Sequence, residues 1–526
     1  MKALLMFNDR DFDLRRPLPP RAGILTQDLE LEVLVAAMAG EDEFVLDVCY
    51  KAVLGSVDDL GTIRHRQQIL ADCLKNRDVV REIYALTVDS LEVQRQGHWG
   101  FFGRDTPDGA LSRALELLQG YLPLLQRLKV IAETHSAEFS SDGFRKLFDA
   151  LISELNDAYF AELNGHLRAL QFKDGVFISA VLGTGNKGRK YVLRRDADTR
   201  PLWKKWLLGP HPARFSFTIH PRDQAGWRGL ERLRDRGIAL VADALGQSAD
   251  HVLSFFDMLR TELAFYVGCI TLDERLAELG AHTAFPLPAA TGDMKLIARG
   301  LYDICLALSL GRKVVGNDVD AGDKPLVVIT GANQGGKSTL LRSVGLAQLM
   351  MQSGMFVAAE SFSCDVRKGL FTHYKREEDT SMTSGKFDEE LARMSAIVDS
   401  LNAHSTVLFN ESFAATNERE GSEIAYQIVC ALLDRGIRVV FVTHMYDLAR
   451  RLSQQQKARG LFLRAERAAD GRRSFKLLEG APMPTAFGKD LYHQIFYEDT
   501  SSIDNEVERG GKWTEDSLTI AAAPNR

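Results

Sequence analysis

The sequence contains no cysteine pair at CxxC spacing. Its six cysteines (Cys49, Cys73, Cys269, Cys305, Cys364 and Cys430) are scattered along 526 residues. That pattern argues against a disulfide framework or a zinc site and fits the reducing cytoplasm. No run of about 18 apolar residues occurs, so no membrane span is expected. The opening "MKALLMFNDRD" has an apolar stretch too short for a signal peptide, and charge interrupts it at once. A basic excess is missing too. With a net charge of −6, any surface that grips nucleic acid must be local. What is present is ordinary for a soluble globular protein, with 45% apolar and 26% charged residues. The length exceeds one core and implies two to four domains.

A proline-rich lead-in, "RRPLPPRAG" (15–23), precedes a helical region. Apolar residues recur at spacings of three and four over 57–93, as amphipathic helices require. After "GHWGFFGRD" (97–105), two long periodic segments cover roughly 109–136 and 140–171, with Pro123 and the "SSDG" turn (140–143) as the breakers. The composition then changes. "GVFISAVLG" (175–183) and "RKYVLRR" (189–195) read as strands joined by "TGNKG", and "ARFSFTIH" (213–220) as a further strand. Helical periodicity resumes from Trp227 to about Leu279, so a β tip between two helical arms is expected. From 301 onward the pattern is α/β. "PLVVIT" (325–330), "TVLFN" (406–410) and "RVVFVT" (438–443) are buried-strand runs, separated by helical segments near 337–353, 386–401 and 420–434.

"GANQGGKST" (331–339) fits G-x-x-x-x-G-K-[ST], follows a strand and opens a helix. Its glycines Gly331, Gly335 and Gly336 let backbone N–H groups turn toward phosphate oxygens. Lys337 brings positive charge to the β/γ-phosphates, Ser338 offers a hydroxyl to Mg²⁺, and Thr339 completes the motif at the helix N-terminus. About 75 residues later "TVLFN" ends at once in Glu411, placed to polarise an attacking water; a plain surface glutamate is the alternative. His444 closes the next strand in "VTH" and could reach the γ-phosphate, although a lone histidine at a strand end is more often structural. Asn410 stands where an ATPase of this kind carries an aspartate that holds Mg²⁺ through bound waters. Asparagine keeps the acceptor oxygen and loses a charge, which points to a slow hydrolase.

"ITGANQGGKSTLLRS" closely resembles the nucleotide loop of the MutS family of DNA mismatch-repair ATPases, with Asn333 and the Gly335-Gly336 pair at the family's positions. "VVGNDV" (314–319) is similar to the segment which that family places against the adenine, with Asn317 at the shared asparagine. "FTHYKREEDTSMTSGKFDEELARM" (371–394) resembles its signature segment, where Ser384 and Gly385 match. "FNESFAATNEREG" and "VTHMYDLA" match the carboxylate-bearing strand end and the histidine switch, and "TAFGKDLY" (485–492) weakly echoes a later segment.

The resemblance implies a multidomain fold: a helical core (1–108), lever and core helices (109–170 and 222–300) and a β-rich clamp-like insertion (171–221). An α/β P-loop ATPase domain of ABC type (301–497) and a polar tail (498–526) follow. It implies ATP and Mg²⁺ as cofactors, and a homodimer in which the signature segment of one subunit completes the ATP site of the other. The clamp counterpart carries nine Lys/Arg between Lys187 and Arg214 against Asp196 and Asp198. Lys187, Arg189, Lys190, Arg194 and Arg195 are therefore candidates for DNA-backbone contact, with a solvated charged face as the alternative. The resemblance begins near the helical core, so the family's mismatch-reading and connector domains are not expected in this sequence. The family's Phe-x-Glu wedge triplet occurs at Phe160-Ala161-Glu162, Phe387-Asp388-Glu389, Phe409-Asn410-Glu411 and Phe496-Tyr497-Glu498, the last three in the ATPase half, and none of them is expected to be a wedge. No nuclease-type tail is expected. The functional expectation is a cytoplasmic, MutS-like DNA-binding ATPase, a slow hydrolase that clamps DNA without reading mismatches. The alternative is a nucleotide-gated scaffold with little turnover and no direct DNA contact.

Overall fold

The computed structural model describes residues 1–96, 106–172, 176–184, 188–194, 220–332, 334–376, 385–467 and 473–483. The 97–105 loop, most of the strand expected over 213–220, the 485–492 segment and the tail from 498 lie outside these residues, as do Lys187, Arg195, Asn333 and Ser384. The described chain is helical with mixed sheets and falls into two compact units. Among the described residues no helix is long and apolar enough to cross a membrane.

The first unit comprises Met1–Ala290, Ile304–Val314 and Leu346–Val366. Its helices start where the sequence supplies acceptors for orphan N–H groups. Asp42 caps Glu43–Leu54, Asp59 caps Leu60–Lys75, and Thr106 with Pro107 at the first position opens Pro107–His135. Pro123, a breaker by sequence, stands inside that last helix. Proline removes one helical hydrogen bond and costs about 3 kcal/mol. Here Leu118, Tyr121, Leu125 and Leu128 are buried on both sides of it, and Tyr121 lies 6.1 Å from Phe256 on the helix Gln224–Glu278. Packing of that face keeps the helix continuous.

Gln224–Glu278 runs for 55 residues, with its buried positions concentrated from Phe255 onward. Glu262 is wholly buried on it and accepts N–H bonds from Leu5 (2.8 Å), Met6 (2.5 Å) and Phe12 (2.6 Å). Arg66 donates to the Met6 carbonyl and Tyr266 to that of Leu5, so the chain's opening segment is threaded into the helical core. Burial pushes the Glu262 carboxyl up to about 7, against the lowering effect of the three N–H donors. The strands Phe177–Leu182 and Gly188–Arg194 form an antiparallel hairpin, with Leu182 opposite Gly188, and Tyr191 lies under the Arg236 guanidinium of the long helix.

The second unit comprises Thr291–Asp303, Val315–Gly345 and the chain from Arg367. Its boundary differs from the expected 301. Residues 304–314 and 346–366 pack with the first unit, where Cys305 sits on the Leu29 and Glu30 carbonyls and Ser353 receives the Arg66 guanidinium. A six-stranded sheet forms the centre of the second unit. In order its strands are Arg473–Glu479, Gly460–Arg467, Leu326–Thr330, Arg438–Val442, Thr406–Asn410 and Leu370–Tyr374. All are parallel except Arg473–Glu479, which returns antiparallel beside Gly460–Arg467. Leu326–Thr330 and Arg438–Val442 are buried at every position, the pattern of parallel strands covered on both faces. The helices Lys386–Val398, Glu418–Asp434 and Tyr446–Gln455 close one face over Val328, Phe409 and Phe441. Parallel register brings Ile329 and Asn410 level with Val442, and Tyr374 level with Asn410.

Candidate nucleotide site

The loop after Thr330 lies at the carboxyl end of this sheet, where an open α/β sheet presents its ligand crevice. Gly331 has φ +118° and Gly336 φ +86°, both in the region that favours glycine. A Cβ on Gly331 would also come within 2.8 Å of the Ala465 nitrogen on the neighbouring strand. The helix opens immediately at Lys337 and runs to Gln352, so its first N–H groups face the loop.

Lys337 is 4% exposed, and its ammonium folds back onto the loop, donating to the carbonyls of Gly331 (3.0 Å) and Ala332 (2.9 Å). Burial lowers its pKa, and the charge of Glu411 partly offsets that. The Ser338 hydroxyl donates to Asn410 Oδ1 at 2.9 Å, joining loop and strand end across 72 residues of sequence. Thr339 follows, half-buried, with its carbonyl accepting from Ser343.

Glu411 leaves the strand at φ +54°, and its N–H donates to the Val442 carbonyl at 2.9 Å. Its carboxylate lies 3.7 Å from His444 Nδ1. His444 is the main influence holding the Glu411 carboxyl below the usual carboxylate range; burial opposes it, and Lys337 and Lys375 add to it. At 3.7 Å that contact exceeds hydrogen-bonding distance, so we read it as charge proximity. Gly331, Gly335, Gly336, Lys337, Ser338, Thr339, Asn410, Glu411 and His444 thus gather at one end of the sheet.

Asn317 is placed differently from a residue that offers its amide to a base. It is buried, its Nδ2 donates to the Phe475 carbonyl (3.2 Å), and its Oδ1 accepts from Leu477 N (2.8 Å). Both ends of the amide are engaged in holding the strand Asn317–Gly322 to Arg473–Glu479. The clamp candidates lie in the first unit: Lys190 and Arg194 are exposed on the hairpin, and Arg194 Nε donates to Ser179 Oγ at 2.9 Å. Arg189 is described for its backbone alone.

His373 and Ser412, which no sequence motif marks, also meet beside the strand end. His373 is buried at the end of the edge strand with Nδ1 2.8 Å from Ser412 Oγ, directly after Glu411. The two stand 39 residues apart and fall in no motif with a spacing rule. Among the described residues no group of three or more His, Cys, Asp or Glu could hold a metal ion.

Two family models match the chain: MutS2 N-terminal domain over residues 58–279 and MutS domain V over 327–491. Endonuclease MutS2 of Lactiplantibacillus plantarum is 37% identical over 139 residues, 26% of this chain and 18% of that protein. MutS protein homolog 4 of Homo sapiens is 31% identical over 156 residues, 30% of this chain and 17% of that protein. DNA mismatch repair protein MutS of Methanosarcina mazei is 28% identical over 219 residues, 41% of this chain and 24% of that protein. The chain therefore spans less than a quarter of the length of each of these relatives. With one family model falling on the helical region and the other on the sheet that carries the phosphate loop, the chain belongs to the MutS family.

Proposed function

We propose that this chain is a cytoplasmic, Mg²⁺-dependent ATPase that couples nucleotide binding and slow hydrolysis to a grip on DNA. The observation that carries the reading is the Ser338–Asn410 hydrogen bond, which sets a phosphate loop and a carboxylate-bearing strand end against each other. The region around 301–497 would be the P-loop ATPase domain. The helices of 1–108, 109–170 and 222–300 would be core and arms, with 171–221 the clamp.

The chain's own residues divide the chemistry. Loop N–H groups freed by the glycine conformations at 331 and 336 face phosphate oxygens. Lys337 exchanges its two carbonyl partners for the β/γ-phosphates. A buried ammonium whose charge is poorly solvated gains more from an anion than an exposed one does. Glu411, held ionised by its neighbours, accepts a proton from the attacking water and orients it, with His444 beside it toward the γ-phosphate. The hydroxyl of Ser338 and the amide oxygen of Asn410 are hard oxygen donors at one point, a set that fits Mg²⁺. That ion, when bound, neutralises β/γ-phosphate charge. Asn317 fixes the strand that borders the nucleotide. Asn333 belongs to the loop, and Ser384 completes the site of a second copy in a homodimer.

Lys190 and Arg194, with Lys187, Arg189 and Arg195, supply backbone contacts on DNA. Such contacts carry no sequence information, so mismatch readout is not part of the proposal. Asn410 favours one second reading, a nucleotide-gated scaffold with little turnover. Steady-state hydrolysis with and without duplex or branched DNA separates the two. Lys337→Ala is expected to lose roughly a hundredfold or more in rate, and Glu411→Gln to bind ATP without cleaving it. Wild-type rates in both variants would overturn the site assignment.

A further inference from the structure

Glu411 and Phe413 both have positive φ, +54° and +63°. Such backbone persists in non-glycine residues only where the surroundings over-determine it. Between them stands Ser412, with no exposed surface. Its hydroxyl lies 2.8 Å from His373 Nδ1 and also reaches the His373 carbonyl. His373, 1% exposed, belongs to the strand Leu370–Tyr374 and pairs opposite Phe409. Its ring stacks on Phe413 at 5.1 Å and 15°. Its second nitrogen, Nε2, lies 3.0 Å from the Glu390 carbonyl oxygen on the helix Lys386–Val398. One imidazole thus touches the edge strand, the helix and both residues that follow Glu411.

The partners fix the tautomer. A carbonyl oxygen only accepts, so Nε2 carries hydrogen and donates to Glu390. The Ser412 hydroxyl has one proton and two groups of His373 within reach, the backbone carbonyl, to which it donates, and ring Nδ1. Both contacts are directional. Through the ring the helix that carries Glu390 is thereby linked to Ser412, the residue between the two left-handed positions. A merely space-filling residue between Phe409 and Phe413 would need no polar pair there, and an apolar ring would pack as well.

We propose that His373 is a positioning residue for hydrolysis, which fixes Glu411 through Ser412 and ties that placement to the helix Lys386–Val398. The proposal rests on Glu411 being the hydrolytic carboxylate. The regulated quantity is the rate of cleavage in the nucleotide-bound protein, since His373 is linked to Glu390, Phe413 and Ser412 on the Glu411 side of the site.

The test uses the full chain. Mg-ATP affinity, steady-state hydrolysis and thermal melting are measured for wild type, Glu411→Gln, Ser412→Ala, His373→Phe, His373→Asn and the Ser412→Ala/His373→Phe pair. His373→Phe and Ser412→Ala are each expected to lower kcat about tenfold with ATP affinity held within about twofold. The pair should lose less than the sum of its members, because both remove the ring–hydroxyl contact. His373→Asn, which keeps a polar group facing Ser412, should recover part of the rate. Ser412→Ala deletes one oxygen atom and keeps the test decisive if His373→Phe melts. Wild-type kcat in both single variants, or losses that add and fall equally on ATP affinity, overturns the proposal. If wild type shows no turnover that Glu411→Gln abolishes, the ATPase reading itself fails and the positioning role falls with it.

Discussion

Asn410→Asp changes one atom of the site and is the sharpest perturbation available. Asn410 Oδ1 already accepts from Ser338 at 2.9 Å, so the aspartate oxygen inherits a formed geometry and only the charge is new. A unit charge about 4 Å from another contributes ~4 kcal/mol at an effective dielectric of about 20, and a divalent ion doubles that. Two effects offset it. The carboxylate loses hydration in a half-buried place, and it stands next to Glu411, which is itself ionised. The net gain is ~1–2 kcal/mol, or roughly tenfold in Mg²⁺ affinity. Initial ATPase rates at fixed ATP, with free Mg²⁺ varied, give the half-maximal concentration directly. Asn410→Asp should lower it about tenfold and raise the rate at limiting Mg²⁺. An unchanged or higher half-maximal Mg²⁺ would show that Asn410 does not face the ion.

Charge reversal of the hairpin tests the other half of the reading. Lys190→Glu with Arg194→Glu should weaken duplex binding equally for matched and mismatched sequences, and reduce the log–log salt slope by about 0.9 for each phosphate no longer neutralised; an unchanged slope in fluorescence anisotropy would remove the hairpin from the DNA surface. Glu262 should give the first unit a pH-dependent stability. Its folded pKa is raised to about 7 from 4.5, so its contribution is fully present below about pH 4.5 and is lost as pH rises toward 7, by ~3 kcal/mol at most. Glu262→Gln should flatten that slope in urea melts between pH 5 and 8, while placing an amide N–H against the Phe12 N–H; equal slopes in both proteins would refute the assignment.

The three strands with unbroken apolar runs were legible because a parallel strand covered on both faces writes its burial into adjacent residues. The edge strand Leu370–Tyr374 and the strand Gly460–Arg467 were not. "LFTHY" mixes a histidine, a threonine and a tyrosine with two apolar residues, and its strand state comes from pairing with Thr406–Asn410. The opposite error occurred at Pro123, where a local penalty was outweighed by packing that the sequence does not display.

The site divides along the same line. Gly331, Gly336, Lys337 and Ser338 lie within eight residues, and their chemistry follows from backbone conformation and side-chain type, so spacing alone gave their arrangement. Asn317 was legible as a residue type but not as a set of partners. Its amide is a two-ended backbone mimic, and what it mimics depends on the strand Arg473–Glu479, 158 residues away. His373 and Ser412 show the limit more clearly. A histidine and a serine 39 residues apart carry no spacing rule, and they meet only because Leu370–Tyr374 runs parallel to Thr406–Asn410 in a register that sets Tyr374 beside Asn410. Residues that touch a nucleotide must present a fixed local shape to it. Residues that act through another side chain are bound only by the fold, and they become visible once the sheet register is known.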